Sequence, residues 1–352
     1  MSAPLVSVLI PLHNAAPYVC EAISSIAIAH RTMALEILVF DDASTDDGAD
    51  RVRALNLPYL RLISSPVHQG IVRGLNTLLG EARGKYIARM DADDVADPRR
   101  IPFQAAYLDA HLDIDMCGTW MRSFGTPFPV TWSYPELHED IRAELLFNPA
   151  LIHGTAMFRR DLMGRCNVLF SEDYPHAEDY EWIVRLSRHA RLANVQRSLY
   201  NYRVHPGQTA SRKRVEQRAT TRRIQAELLT ELGLQLSAQS LLTHEQLAYW
   251  RIPRRLDALG ALHEWLLGLE QANAQSRVYD PCALRNMCAR RFFHVCDYFA
   301  HAGFAAARRF RAFELYRAAH AGPLPRATQM LRCLVRRDVP GRIDAPVTED
   351  IV

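Results

Sequence analysis

A chain of 352 residues, 49% hydrophobic and 23% charged, is ordinary for a soluble globular protein and long enough for one large domain or two. Its seven cysteines form no CxxC pair and no regular framework, so neither a zinc ribbon nor a disulfide scaffold is suggested, and a reducing cytosol is the simplest home. The first apolar run has no basic leader and is broken by Pro11, His13 and Asn14, which argues against a signal peptide; no stretch reaches the roughly 18 to 20 apolar residues of a membrane-spanning helix. The net charge of +3 hides an asymmetry. Residues 1–211 carry 20 Lys and Arg against 25 Asp and Glu, whereas 212–352 carry 22 against 14.

The first hundred residues alternate strand and helix patterns. VSVLIPL (6–12) is a short β-rich run, and APYVCEAISSIAIAH (16–30) repeats apolar residues at helical spacing. EILVF (36–40) is a second strand, followed by DDASTDDGAD, a turn-and-cap cluster that leads into a short helix. LRLIS (60–64) is a third strand, GIVRGLNTLLGEA (70–82) a helix, and GKYIARM (84–90) a fourth strand. Such alternation implies a largely parallel sheet with helices on both faces, and ligands bind outside the carboxyl ends of its strands. Polar clusters follow the first, second and fourth strands: HNA, DDASTDD and DADD. A helix (100–112), a strand around DMCGTWM and a Pro-rich aromatic stretch come next, and from 212 onward the pattern is almost entirely helical.

The stretch ARMDADDVADP (88–98) places Asp91, Asp93, Asp94 and Asp97 within seven residues. Such a cluster repels itself unless it is spread into water, holds a cation or stays partly protonated. Asp97 before Pro98 reads as a helix N-cap with proline at the first helical position. Packing gives no reason to concentrate the other three at a strand end. A calcium loop would need a glycine at its sixth position, where Ala96 stands. DADDV also fits the D-x-D-x-[TV] nucleophile motif of haloacid dehalogenase-type phosphatases, with Asp91 as nucleophile. That motif normally closes the first strand of its fold, and here three strand-like units precede it. The remaining reading is that Asp93, with Asp91 or Asp94 beside it, holds a divalent cation that also grips a diphosphate.

At this point the sequence resembles the family 2 inverting glycosyltransferases of the GT-A fold. VSVLIPLHN is similar to the family's opening strand and its P-x-x-N end, EILVFDDASTD to its DD-x-S-T-D nucleotide loop, GKYIARMDADD to its metal strand, AEDYEW to its ED helix start, and YRVHPGQTAS to its closing Y-R-x-H…S segment. The resemblance covers about residues 4–210. It implies a Rossmann-like, mostly parallel α/β sheet with flanking helices over 1–211, with a nucleotide-sugar half to about 98 and an acceptor half from 99, followed by a helical, basic C-terminal region over 212–352. It further implies that Pro11 and Asn14 line the nucleotide end of the first strand and that Asp42 reads the base, expected to be uracil. Gly70 lets the backbone approach the ligand, and Arg73, Asn76 and Arg89 contact the donor. Many family members carry A-R-N in this helix, whereas Gly74, Leu75 and Asn76 stand here. By the same resemblance Asp93 is the main ligand of Mn2+ or Mg2+ with His205 approaching it, Asp94 binds the metal through water or orients the loop, Asp91 hydrogen-bonds the sugar or ribose, Asp179 is the general base and Glu178 supports it. Trp182 is placed either to stack on an acceptor sugar or, at helical spacing with Ile183 and Leu186, to join the core. His153 stands near the acceptor or supports the site.

After about 215 the resemblance fades. Residues 281–342 hold twelve arginines against Asp297, Glu314 and Asp338, with Phe, Leu, Tyr and Val interleaved. That composition suits a helix on an anionic membrane surface, or a helical bundle with a solvated basic face. No recognition motif accompanies the charge, so nucleic acid is not the expected partner. The expected activity is transfer of a sugar from a UDP-linked donor to a hydroxyl of a glycan or lipid-linked acceptor, in the cytoplasm or on the inner face of the membrane. The alternatives are the phosphatase and a non-catalytic nucleotide-sugar-binding protein.

Overall fold

The computed structural model describes residues 4–208, 213–253, 258–302, 304–319 and 329. The chain divides into two compact units, Met1–Ile141 with Pro149–Thr220, and Arg142–Asn148 with Thr221–Val352.

In the first unit the elements run β1 (Val6–Leu12), α1 (Val19–Ala27), β2 (Leu35–Asp42), α2 (Gly48–Ala54), β3 (Leu60–Ser65), α3 (Ile71–Glu81), β4 (Tyr86–Arg89), β5 (Val95–Ala96), α4 (Arg100–Ala110), β6 (Met116–Phe124), β7 (Thr131–Trp132), α5 (His138–Glu144), β8 (Met157–Arg159), α6 (Leu162–Arg165), α7 (Glu178–Leu186) and β9 (Leu192–Arg203). All eight residues of β2 are buried, and six of the seven in β1. Covered on both faces, these strands are continuous apolar runs instead of alternating ones. The sheet order is β3-β2-β1-β4-β8-β6-β9-β5, with β7 on β6. β3, β2, β1 and β4 are parallel, with Leu12 opposite Asp41 and Leu9 opposite Arg89, so their polar ends open on one side. The expected α/β class holds, but beyond β4 the sheet is mixed, with β8 antiparallel to β4 and β6, and β9 parallel to β6.

Helix α1 buries Val19, Ala22, Ile23 and Ile26, and α3 buries Val72, Leu75, Leu78 and Leu79. Gly74 brings α3 tight against β2, since a Cβ there would stand 2.8 Å from the Phe40 ring. β9 pairs with β6 over most of its length, with register shifts at Trp120, and its end pairs with β5. This long strand carries Tyr200 and Arg203 back to the DADD loop, 109 positions earlier in the chain.

The second unit is helical. It holds the end of α5, most of Arg214–Glu231, and the helices Ala238–Ala248, Ala258–Ser276, Pro281–Tyr298, Phe304–Phe310 and Glu314–Ala318. Ser237 caps its helix through a reciprocal box with Ser240, and Asp280 accepts from Ala283 N at 2.8 Å ahead of Pro281. Leu262, Leu266, Leu284, Met287 and Phe292 form the interior. Phe293, Val295, Phe299 and Phe310 are buried too, so the apolar side chains that an in-plane membrane helix would insert are spent on the unit's own core. Arg285 pairs with Glu270 and Glu314, and Arg290 and Arg291 pair with Glu144, while Arg308, Arg309 and Arg311 are exposed. No described helix is long and apolar enough to cross a membrane. The basic tail beyond 319, residue 329 apart, and the 209–211 part of the YRVHPGQTAS segment, with Arg212 after it, lie outside the described residues.

Candidate functional site

The four aspartates of the DADD stretch go to different places. Asp91 forms an ion pair with Arg89, and its Oδ2 accepts from Tyr200 OH at 3.2 Å. Asp93 Oδ2 lies 3.0 Å from His205 Nε2. Asp94 is buried, and its Oδ1 accepts from Arg203 N at 2.7 Å, which clamps the loop to β9. That bond suits the loop-orienting role expected of Asp94, and its Oδ2 is buried without a hydrogen-bond partner. Asp97 accepts from Arg99 N at 2.9 Å and pairs with the Arg99 guanidinium, and α4 starts only at Arg100.

Arg89, expected at the donor, is 5% exposed and lies against Asp91 inside the sheet end. Burial works against its charge, and Asp91, with Tyr200 and Asp94 behind it, more than restores it. Below it Arg100 is wholly buried and donates to Arg89 O at 2.7 Å, with its guanidinium 5.0 Å from the Tyr200 ring. Burial lowers Arg100 to about 10. A Cβ at Gly154 would come within 2.8 Å of both Asp91 Oδ2 and Tyr200 OH, so only a glycine lets that turn pass so close.

Glu178 and Asp179 open α7, where unpaired backbone N–H groups and the helix dipole favour negative charge. Asp179 Oδ1 accepts from Tyr180 N at 2.7 Å. Glu178 is 8% exposed with a buried Oε2 that has no partner, and burial, then Asp179, push it up to about 7. Asp179 is raised by burial, against the pull of the Tyr180 N–H and Arg89. Arg89 therefore acts on both carboxylate clusters, favouring ionisation of the pair while Asp91 opposes it.

Helix α3 carries two of the residues expected at the donor. Arg73, expected on the donor, forms a forked pair with Glu172, at 2.5 Å and 3.3 Å. Asn76, expected likewise, donates to Phe170 O at 3.0 Å and accepts from Phe170 N at 2.9 Å, so both ends of its amide are spent on the loop before α7. The same loop is held from the other side by Trp182 Nε1 on Val168 O at 2.6 Å and by Arg185 on Asn167 O and Leu169 O. Trp182 is 1% exposed, stacked on Phe170 at 4.7 Å and edge-on to Phe158 and His153, so it is core and has no face left for a sugar. His153 is buried under it and held well below its ordinary pKa by burial and then Arg89. It is a neutral support.

At the ends of β1 and β2, Asn14 Oδ1 accepts from Thr45 N at 2.8 Å, which ties the two loops together. Pro11 sits opposite Phe40 in the ladder. Asp42 is buried and accepts from Gln69 N at 2.6 Å and Gly70 N at 2.8 Å, with His68 Nδ1 2.9 Å away. Gly70 has φ 87 and ψ 162, a backbone that glycine adopts and other residues avoid.

The residues fit a divalent cation at Asp93. Burial and the nearby Asp91 charge hold Asp93 above the ordinary carboxylate range, and His205 Nε2 completes an oxygen-and-imidazole donor set of the kind Mn2+ and Mg2+ accept. Sequence reasoning missed Tyr200, Arg203 and Arg100, which fix Asp91, Asp94 and Arg89. The only signal was YNYRVH, whose alternating residues mark a strand with one face toward the loop.

Comparison with known proteins bears on this arrangement. The sequence model described as Glycosyl transferase family 2 matches residues 7–166. An uncharacterized glycosyltransferase of Haemophilus influenzae is 34% identical over 241 residues, 65% of this chain and 74% of that one. Among solved structures, S. aureus TarS 1-349 in complex with UDP-GlcNAc has a TM-score of 0.54 at 18% identity, covering 87% of this chain and 91% of that one. The mannosyltransferase PcManGT of Pyrobaculum calidifontis, in complex with GDP-Man and Mn2+, has a TM-score of 0.52 at 18% identity, covering 95% and 86%. The phosphatase reading falls with these matches and with the pairing of Asp91 to Arg89. The chain belongs to glycosyl transferase family 2.

Proposed function

We propose that the protein is a cation-dependent inverting glycosyltransferase that moves a sugar from a nucleotide sugar, UDP-linked by resemblance, to a hydroxyl of a glycan or lipid-linked acceptor in cell-surface polysaccharide or lipopolysaccharide synthesis. The observation that carries it is the division of carboxylates into two clusters around one buried arginine: the half-buried Asp91 and Asp93 on the DADD loop, and the buried Glu178 with the half-buried Asp179 at the start of α7.

Asp93 and His205 would hold the cation, Mn2+ or Mg2+, which when bound neutralises charge growing on the departing diphosphate. Asp91, fixed by Arg89 and Tyr200, orients the donor's sugar or ribose. The base sits at Asp42. Asp179 takes the proton of the attacking hydroxyl onto a carboxylate oxygen, and Glu178 beside it keeps the pair's affinity for that proton high. With no enzyme nucleophile in the scheme, a single displacement inverts the anomeric centre. The exposed arginines of the helical unit support an acceptor at an anionic lipid surface, held by charge and not by insertion.

The test is a thermal-shift screen of nucleotide sugars with and without manganese, followed by NMR of the product's anomeric carbon. A donor that stabilises only with the cation, and an inverted product, are expected. Stabilisation that persists in chelator, or a retained configuration, contradicts the proposal.

A further inference from the structure

We infer that His13, Asp42 and His68 form a second cation site, distinct from Asp93 and His205, which takes a borderline transition metal such as Zn2+ and, when filled, excludes the donor's base. The exclusion rests on the proposed placement of the base at Asp42; the site itself does not.

One ligand atom from each of the three residues lies within 4.8 Å of the other two, the one group of three such residues found among those described. The two imidazoles face each other with centroids 4.5 Å apart. Asp42 is held by two backbone N–H groups, from Gln69 and Gly70, which fix its carboxylate while leaving lone pairs on both oxygens. His13 Nδ1 lies 2.8 Å from Asp42 O. A carbonyl oxygen only accepts, so Nδ1 carries the proton and Nε2 keeps a lone pair, which accepts from Asn14 Nδ2 at 3.2 Å and which a cation would take over from that amide. His68 Nδ1 and Asp42 Oδ2, 2.9 Å apart, share a proton that a cation can replace.

Three left-handed residues, Asn14 at φ 51, Ala43 at φ 52 and Gly70 at φ 87, lie within two positions of these ligands and hold the loops bent around them. Tetrahedral zinc with bonds of about 2.0 to 2.1 Å draws its ligands closer together than they stand here. The adjustment is small, because the His68 side chain is 61% exposed and free to turn inward. Two imidazoles and one carboxylate suit zinc, nickel or copper better than magnesium, whereas Asp93 with its neighbouring carboxylates suits a harder ion. The His–His–Asp set therefore prefers zinc to magnesium, and saturating magnesium competes with zinc at Asp93.

The experiment is calorimetric titration of Zn2+ into the full chain with magnesium saturating, on wild type, His68→Ala, the double variant His13→Ala/His68→Ala, and Asp93→Ala. We expect one zinc site that weakens about tenfold or more in each histidine variant and is unchanged in Asp93→Ala. Titration of UDP into the zinc-loaded wild type is expected to show a comparable loss of nucleotide affinity. Zinc affinity unaltered in the double variant, or lost in Asp93→Ala, overturns the site. Zinc held by the histidines with UDP binding undisturbed overturns the exclusion and, with it, the placement of the base at Asp42.

Discussion

Arg291 in the helical unit and Arg89 in the α/β unit are each 5% exposed, and each faces a carboxylate. Arg291 has one carboxylate and neutral partners around it: Glu144 is shared with Arg290, Leu247 O accepts at 2.9 Å, and the Phe147 ring lies 4.1 Å beneath the guanidinium, although its Nε, like that of Arg89, has no hydrogen-bond partner. Arg89 pairs with Asp91, and its Nε has no partner. Around it Asp93, Asp94, Glu178 and Asp179 are all raised, with burial the leading cause in each. A buried pair that is balanced contributes specificity and stability. A buried arginine facing an excess of carboxylates leaves a site short of positive charge, which the proposed cation would supply.

The largest break in that contrast comes from Asp93→Ala, which removes a proposed cation ligand and has no counterpart in the helical unit. Activity is expected to fall about 10³-fold and nucleotide binding to lose its manganese dependence, as steady-state rates and calorimetry would show. Next, Arg291→Met is expected to cost up to about 3 kcal/mol in urea unfolding, because it leaves Glu144 with only the exposed Arg290 and strands Leu247 O, and to leave the shape of the pH–rate profile unchanged. Arg89→Met reverses the pattern. Without that positive charge Glu178 and Asp179 hold their protons to higher pH, so the acidic limb of kcat/KM moves upward.

Glu178 sharpens the contrast through pH. Its folded pKa of about 7 lies above the ordinary glutamate value, so between the two the folded chain keeps a proton that the unfolded chain has released. Stability from this group is therefore lost as pH rises through that window. Glu178→Gln is expected to recover on the order of 3 kcal/mol at pH 8 and to flatten the fall of Tm between pH 5 and 8. The smallest effect belongs to Asn76→Ala. Losing both bonds to Phe170 is expected to cost about 1 to 3 kcal/mol and to lower kcat while donor affinity holds, because the loop it frees leads into α7.

The strands were legible because their burial writes continuous apolar runs into the sequence, and the carboxylate clusters because charge at a strand end has no packing explanation. What the sequence hid was direction and partner. Nothing local distinguishes Asp93, beside His205, from Asp94, beneath Arg203; the difference is set by β9, more than a hundred residues later. Arg73 and Asn76 sit on a helix whose exposed positions looked ready for a ligand. Their partners, Glu172 and Phe170, arrive through a loop with no pattern of its own. Trp182 fitted core or sugar equally until Phe170 was seen to cover its face.

The central claim is that donor handling and proton removal belong to different carboxylate clusters. Asp179→Asn tests it most directly, with nucleotide-sugar affinity measured by calorimetry in manganese and turnover measured on the same preparation. The account requires affinity close to wild type with turnover reduced by about 10² to 10⁴-fold. Turnover close to wild type, or loss of donor binding along with it, would contradict the account.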